Sequence, residues 1–340
     1  MAEMTFGEAV RDALAEAMRD DATVWTLGED LTEIHLVGGN YAYEGLIEEF
    51  GSLRVVNTPI SESTIMGAAV GAAVAGTRPV CDMRTVDFAL CAMDELVNQA
   101  AKIRYMFGGQ ARVPMVARMP IGARRGAAAQ HCGSYEAWFV SVPGLVVVAP
   151  VTPADGKALL KSAIRCDDPV VFLEHKELFL DRGDVPDGDV TVPLGKGRKV
   201  REGSDLTIVA WSKMVLIAEE ACDVLAAEGV TVDLIDLRTL WPWDREMVFD
   251  SARKTKRVLV PQEAVQVGGF AAEIAMSVSE AVGSDLLGPP RRLGAPRIPV
   301  PYSPPLEDEY RVTPADVVDA AHALLRASTP RGRLSADRPE

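Results

Sequence analysis

Two polar side chains stand where chemistry could be done. Glu62 closes Asn57-Thr58-Pro59-Ile60-Ser61-Glu62, and His131 lies in Gln130-His131-Cys132-Gly133-Ser134. Glu62 follows the apolar run Arg54-Val55-Val56, which reads as a strand, and precedes the small-residue run Ser63 to Gly76, which reads as a helix. That junction puts a carboxylate at the carboxyl end of a parallel strand, where ligands of open α/β sheets bind. The carboxylate also faces the positive end of a helix dipole, which favours its ionised form. A buried ionised carboxylate is costly unless a partner meets it. Helix-initiating glutamates are equally common in first turns, so the motif alone leaves both readings open. His131 sits in a glycine-flanked loop, a setting that suits proton transfer near neutrality. A lone histidine is also often a plain structural or surface residue, and His35, His175 and His322 are read that way.

The elements that must position these residues alternate between strand and helix. Helices are expected over 5–19, 63–76, 88–106, 134–141 and 314–327. Thr152-Pro153 caps another helix, with threonine at the cap and proline at the first helical position. Strands are expected at 23–27, 54–56, 78–83, 113–117, 145–148 and 169–173. Leu145 to Val148 is apolar throughout, as in a strand covered on both faces. Alternation of this kind implies a doubly wound parallel α/β sheet. Residues 176–204 are rich in Gly, Pro and Asp and read as an interdomain linker with a short hairpin. A second α/β unit begins at Leu206 and continues through strands at 230–235 and 257–260. The expected domains are 1–176 and 205–328, joined by linker 177–204, with a disordered tail over 329–340. Gly67, Gly71 and Gly76 have helical spacing and read as a close-packing face rather than a phosphate loop.

Composition bounds the function. The chain has 340 residues, 48% of them hydrophobic, and a formal charge of −14. Such acidity disfavours nucleic acid and anionic membranes as main partners. No apolar run approaches the roughly 20 residues needed for a membrane span. Five scattered cysteines without a Cys-x-x-Cys pair fit core thiols in a reducing compartment, and the cytoplasm is the expected location. Gly-x-Gly-x-x-Gly, the Walker A loop, Gly-x-Ser-x-Gly and His-Glu-x-x-His are all absent.

An ordered set of segments remains: Gly28-Glu29-Asp30, the Asn57–Glu62 motif, Asn98-Gln99-Ala100-Ala101-Lys102, Tyr105-Met106-Phe107-Gly108-Gly109, Ala129-Gln130-His131, Pro143-Gly144-Leu145 and Pro299-Val300-Pro301-Tyr302. With these the chain resembles, from about Thr5 to Ala327, the β subunit of the thiamine-diphosphate-dependent first component of 2-oxoacid dehydrogenase complexes, a family that includes acetoin-cleaving members. The resemblance implies a transketolase-like pyrimidine-binding domain followed by the transketolase carboxyl-terminal domain. It implies that Glu62 hydrogen-bonds the cofactor's pyrimidine nitrogen and favours the imino form that deprotonates the thiazolium. It implies that Phe88 packs on the pyrimidine face; a core aromatic at a helix start is the rival reading. It assigns His131 to the transfer of an acyl group to a lipoyl-bearing acyltransferase component. It also implies a potassium ion on the backbone carbonyls around Met115, Ala163, Ile164, Cys166 and Asp168; ordinary hydration of a helix end is the plain alternative.

The chain departs from the family in two places. Cys91 stands where pyruvate members often carry Gln, and Cys132 where Ser is usual. Glu174-His175-Lys176 points weakly to acetoin-type members. The chain also lacks the Gly-Asp-Gly…Asn segment that would hold the diphosphate and its Mg2+. The resemblance therefore implies half of a split active site, completed by an α subunit in an α2β2 heterotetramer. Two alternatives are a split transketolase-like subunit acting on sugar phosphates and a non-catalytic assembly subunit.

Overall fold

The computed structural model describes residues 1–32 and 40–327. His35 and the expected tail lie outside the described residues. The strands in chain order are β1 (Ala2–Thr5), β2 (Val24–Glu29), β3 (Val55–Thr58), β4 (Arg78–Asp82), β5 (Val116–Ile121), β6 (Val146–Val148), β7 (Val170–His175), β8 (Arg182–Val185), β9 (Arg198–Arg201), β10 (Leu206–Ala210), β11 (Val232–Asp236), β12 (Thr239–Trp241), β13 (Val258–Val265) and β14 (Arg291–Ala295). They form a seven-stranded sheet of order β12-β6-β7-β5-β4-β2-β3 and a five-stranded sheet of order β14-β13-β10-β11-β9. β1 and β8 make a separate antiparallel pair. Each large sheet is parallel apart from one edge strand, β12 or β9. Among the described residues no helix is long and apolar enough to cross a membrane.

Local chemistry explains several elements. Thr5 accepts from the Glu8 N–H while Glu8 accepts from the Thr5 N–H, a capping box that starts the helix Phe6–Asp20. Thr152 accepts from the Asp155 N–H ahead of Pro153 and starts the helix Pro153–Arg165. These two helices bury apolar faces against each other, and Lys157 bridges them through Asp12 (2.5 Å) and Glu16 (2.8 Å). β5 and β7 are buried at every position, as parallel strands covered on both faces must be.

The structure differs from the sequence reading in five places. The expected helix over 88–106 is a relay: helical turns at Val86–Ala89, a 3-10 turn at Leu90–Ala92, a wider π-helical segment at Asp94–Ala100, and α-helix only over Ala101–Met106. Its apolar spacing is compatible with all of these winds, so periodicity could not separate them. The strand expected at 113–117 begins at Val116. Residues 176–204 form no hairpin; β8 pairs with β1 and β9 with β11. Both partners are distant in sequence, which a search for local turn signals does not find. β12 crosses back to border the first sheet beside β6. The packing role given to the glycine ladder holds only in part. A Cβ at Gly67 would meet Glu95, whereas one at Gly71 would meet open space.

Candidate active site

The chain runs from β2 outward to β3, then crosses back to β4 on the other side of β2. That reversal is the topological switch point, where the carboxyl ends of neighbouring strands leave a crevice. Glu62 opens the helix Glu62–Val74 immediately after β3. Ser61 makes no side-chain cap to the helix backbone; its hydroxyl donates to Thr64 Oγ1 (2.8 Å). Glu62 is half-buried, and it makes no hydrogen bond or ion pair to another described residue. The Thr58 hydroxyl, four residues earlier, is buried without a partner among the described residues. Glu29 ends β2, Asp30 follows it, and Asp82 ends β4. Burial and the charges of Asp30, Glu62 and Asp82 push the Glu29 carboxyl up, against the pull of Arg84. The switch point is therefore acidic, with Arg84 among its carboxylates.

Behind this edge lies a buried charged network that the sequence reading missed. Arg118 forks onto Glu174 with bonds of 2.9 and 2.8 Å, both side chains essentially inaccessible. The Arg118 guanidinium also lies 5.0 Å over the ring of Tyr43, whose hydroxyl donates to Asp82 (2.7 Å). Asp82 accepts the Arg84 N–H on its other oxygen (2.7 Å). The network fixes the end of β4, from which the next residues of the site depart.

Phe88 lies on the short helix Val86–Ala89 that follows β4. Its half-buried ring meets the exposed His131 imidazole edge to face, with centroids 5.3 Å apart and planes at 79°. His131 comes from the loop that follows β5. The Gly122 N–H donates to the Gly133 carbonyl (3.0 Å) and closes that loop at its base. The Gly133 N–H in turn donates to Asp87 (3.2 Å), so Phe88 and His131 are held by adjoining bonds. Cys132 is buried with its thiol toward the Arg124 carbonyl (3.8 Å), and burial pushes that thiol up. Glu62 stands at the same sheet edge, after β3 rather than after β4 or β5. β3 and β5 are three strand spacings apart, roughly 14 Å at about 4.8 Å each.

The five residues expected to hold a cation lie around the end of one helix and the strand pair β5–β7. The helix Pro153–Arg165 leads into β7, whose first residue, Val170, donates its N–H to the Met115 carbonyl (2.9 Å). Arg78 Nη1 donates to the carbonyls of Ile164 and Cys166 (3.0 Å each), and Nη2 reaches Asp167 (2.8 Å). The Cys166 N–H donates to the Ala163 carbonyl (3.1 Å), and the Asp168 carboxylate pairs with Arg104. Each carbonyl named here still has a second lone pair.

His175, read as structural, is buried beneath the His131 loop. Its Nδ1 accepts the Glu177 N–H (3.2 Å), so its Nε2 carries the proton and donates to Glu263 (2.7 Å). His322 pairs at the surface with Glu228 (2.5 Å). A cavity of about 360 Å³ lies on the far side of the same loop, bordered by Cys132, Tyr135, Trp138, Val265, Val300 and Tyr310.

The comparisons with known proteins agree with this architecture. Residues 2–180 match the family described as "Transketolase, pyrimidine binding domain", and residues 195–317 match "Transketolase, C-terminal domain". The chain is 42% identical over 329 residues to a rice pyruvate dehydrogenase E1 component subunit beta-2 (Oryza sativa subsp. japonica), covering 96% of this chain and 86% of that protein. It is 40% identical to the 2-oxoisovalerate dehydrogenase subunit beta of Bacillus subtilis, covering 94% and 98%. It is 41% identical to the acetoin:2,6-dichlorophenolindophenol oxidoreductase subunit beta of the same organism, covering 95% and 97%. A solved structure titled "Split gene transketolase, inactive beta4 tetramer" superposes with a TM-score of 0.78 at 25% identity, covering 96% of this chain and 99% of that one.

Proposed function

This chain belongs to the transketolase-like family of E1 β subunits of pyruvate, branched-chain 2-oxoacid and acetoin dehydrogenases, and from that premise we propose that it holds the pyrimidine end of thiamine diphosphate while an α subunit supplies the diphosphate and Mg2+ site. It is an oxidoreductase subunit of a thiamine-diphosphate-dependent type. When bound, the cofactor supplies a thiazolium carbon that attacks a carbonyl and cleaves the adjacent C–C bond. The residues at the switch point fit its pyrimidine end. Among the described residues the Glu62 carboxylate has no partner at the sheet edge, and the buried Thr58 hydroxyl nearby is also unmatched. This unpaired carboxylate is the observation that carries the proposal.

Each side chain then has a task. Glu62 would accept a hydrogen bond from the ring and so favour the imino form, whose nitrogen is the proton acceptor. Phe88 offers its ring to the pyrimidine face. His131, held against Phe88, delivers a proton to the departing sulfur when an acyl group passes to the lipoyl domain of an acyltransferase component. Residues 1–176 act as the pyrimidine-binding domain and 205–328 as the carboxyl-terminal domain. A potassium ion shares the carbonyls of Met115, Ala163, Ile164, Cys166 and Asp168 with Arg78. An α2β2 heterotetramer is the assembly that completes the site. Exposed apolar side chains support subunit contacts: Tyr105, Met106 and Phe107 on one segment, and Val74 beside the uncovered Gly71. The cytoplasm is the proposed location.

Co-expression with its α subunit tests this reading. The purified complex should reduce a dye acceptor with pyruvate, a branched-chain 2-oxoacid or acetoin. Turnover with a sugar phosphate instead would favour the split-transketolase alternative. No turnover with any of them, in an intact cofactor-loaded complex, would favour the assembly role.

A further inference from the structure

Three carboxylates hold the loop that carries His131, and none of them has a part in the proposed chemistry. Each accepts one backbone N–H of the loop. Ala123 donates to Glu263 Oε1 (2.6 Å), Gly126 to Glu307 Oε2 (3.1 Å) and Gly133 to Asp87 Oδ2 (3.2 Å). Asp87 lies next to Phe88 in the first half of the chain. Glu263 and Glu307 lie 140 and 181 residues beyond their loop partners, on β13 and on the helix Pro304–Tyr310.

Each carboxylate is itself held. Glu263 takes the His175 Nε2–H on its other oxygen (2.7 Å). Glu307 is essentially inaccessible and takes Arg311 Nε (3.1 Å). Asp87 takes the Thr85 hydroxyl (3.1 Å). Arg311 also forks onto Glu177 (3.1 and 2.9 Å), and the Glu177 N–H fixes the His175 tautomer (3.2 Å). Burial would raise the Glu177 carboxyl, yet Arg311 and Lys213 hold it down to about 2. One residue after β7 thus ties together the supports of two of the three anchors.

The loop needs such anchors. Between Gly122 and Gly133 it contains no helix or strand, and Ala128 adopts φ +60°. Exposed segments of this kind open at low free energy unless their backbone is bonded elsewhere. Bonds from an N–H to a carboxylate are shorter and stronger than neutral ones.

We propose that Glu263 and Glu307 are positioning residues that hold the His131 loop against Phe88, so that the second half of the chain sets the place of the imidazole. This rests on the reading that His131 serves acyl transfer. Glu307→Gln removes the charge shared by Gly126 and Arg311 while keeping size. Glu307→Asp keeps the charge but withdraws it from Gly126. Glu263→Gln tests the second anchor and serves if the Glu307 variants fail to assemble.

The test uses the assembled complex with its α subunit and a free lipoyl domain. Hydrogen exchange in residues 122–133 should rise about fivefold or more. The lipoyl-coupled kcat should fall about tenfold or more, with KM for the lipoyl domain and the dye-coupled rate within about twofold of the parent. Glu307→Asp should fall between the parent and Glu307→Gln. Unchanged loop exchange in all three variants would overturn the proposal. So would faster exchange with both rates intact, or equal loss of both rates. An intact lipoyl-coupled rate in His131→Ala would instead overturn the reading of His131, while loop exchange still decides whether the carboxylates hold the loop.

Discussion

The ring of Phe88 and the imidazole of His131 meet edge to face at 5.3 Å, joining the helix after β4 to the loop after β5. The contact matters because the two residues were expected to serve different steps. A side chain packed on the pyrimidine and a proton donor for acyl transfer need to be neighbours only if the reacting carbon lies close to both. Edge-to-face aromatic pairs contribute about 0.5–1.5 kcal/mol beyond their buried area. That is enough to bias the position of an exposed ring.

His131→Ala should therefore separate the two half-reactions. Cleavage followed with a dye acceptor should survive in part, because it needs no proton from this loop. Reductive acylation of a lipoyl domain should fall by about 10²–10⁴, the range of one general acid. A side-by-side assay checks this. Equal losses in both would move His131 to an earlier step, and no loss in either would leave it a surface residue.

The chain alone should not bind thiamine diphosphate tightly, because it carries no Gly-Asp-Gly…Asn segment for the diphosphate and Mg2+. Among its described residues no group of three or more His, Cys, Asp or Glu could hold a metal ion. Calorimetry with and without the α subunit checks it. Tight, Mg2+-dependent binding to the isolated chain would contradict the split site.

Replacing potassium with choline at constant ionic strength should lower the melting temperature by about 2–4 °C, the size expected for losing a ligand worth about 1 kcal/mol. Arg78→Met should enlarge the effect, because the carbonyls of Ile164 and Cys166 would lose their guanidinium donor. A melting temperature indifferent to potassium in both proteins would assign this helix end to hydrogen bonds alone.

Glu136 predicts a pH effect on stability. Burial pushes its carboxyl up to about 7; its partner is the Trp211 indole N–H (3.3 Å), and its second oxygen has none among the described residues. The folded chain holds this proton more tightly than the unfolded chain, whose carboxyl titrates near 4.5. The resulting stability is present at low pH and is lost as pH rises from about 4.5 to about 7, a change of about 3 kcal/mol. Glu136→Gln should remove that slope and be the more stable protein at pH 8. Urea unfolding of both proteins at pH 5.5 and pH 8 measures it, and parallel pH dependences would contradict it.

Legibility followed sequence distance. The cap at Thr152, the strand–helix junction at Glu62 and the parallel α/β class are written within a few residues, and each could be read. The anchors of the His131 loop could not. Glu263 and Glu307 act on N–H groups more than a hundred residues away, and nothing local distinguishes them from solvated carboxylates. Pro299-Val300-Pro301-Tyr302 pointed to that region without singling out Glu307. β12 was missed for the same reason, since its three residues gain meaning only beside β6. The Phe88–Met106 segment failed differently: its apolar spacing suits several helical winds, and packing chose among them.

The central claim is that Glu62 activates the cofactor. Glu62→Gln is nearly isosteric, so the complex should assemble and melt as the parent does, yet the amide cannot sustain the charged partner. The decisive measurement is exchange of the cofactor's C2 proton into deuterated solvent, quenched and read by NMR in the α-containing complex. Exchange should slow by about 10²–10⁴ relative to the parent. Exchange at the parental rate, in a complex that still binds the cofactor, would remove Glu62 from this role and the account's premise with it.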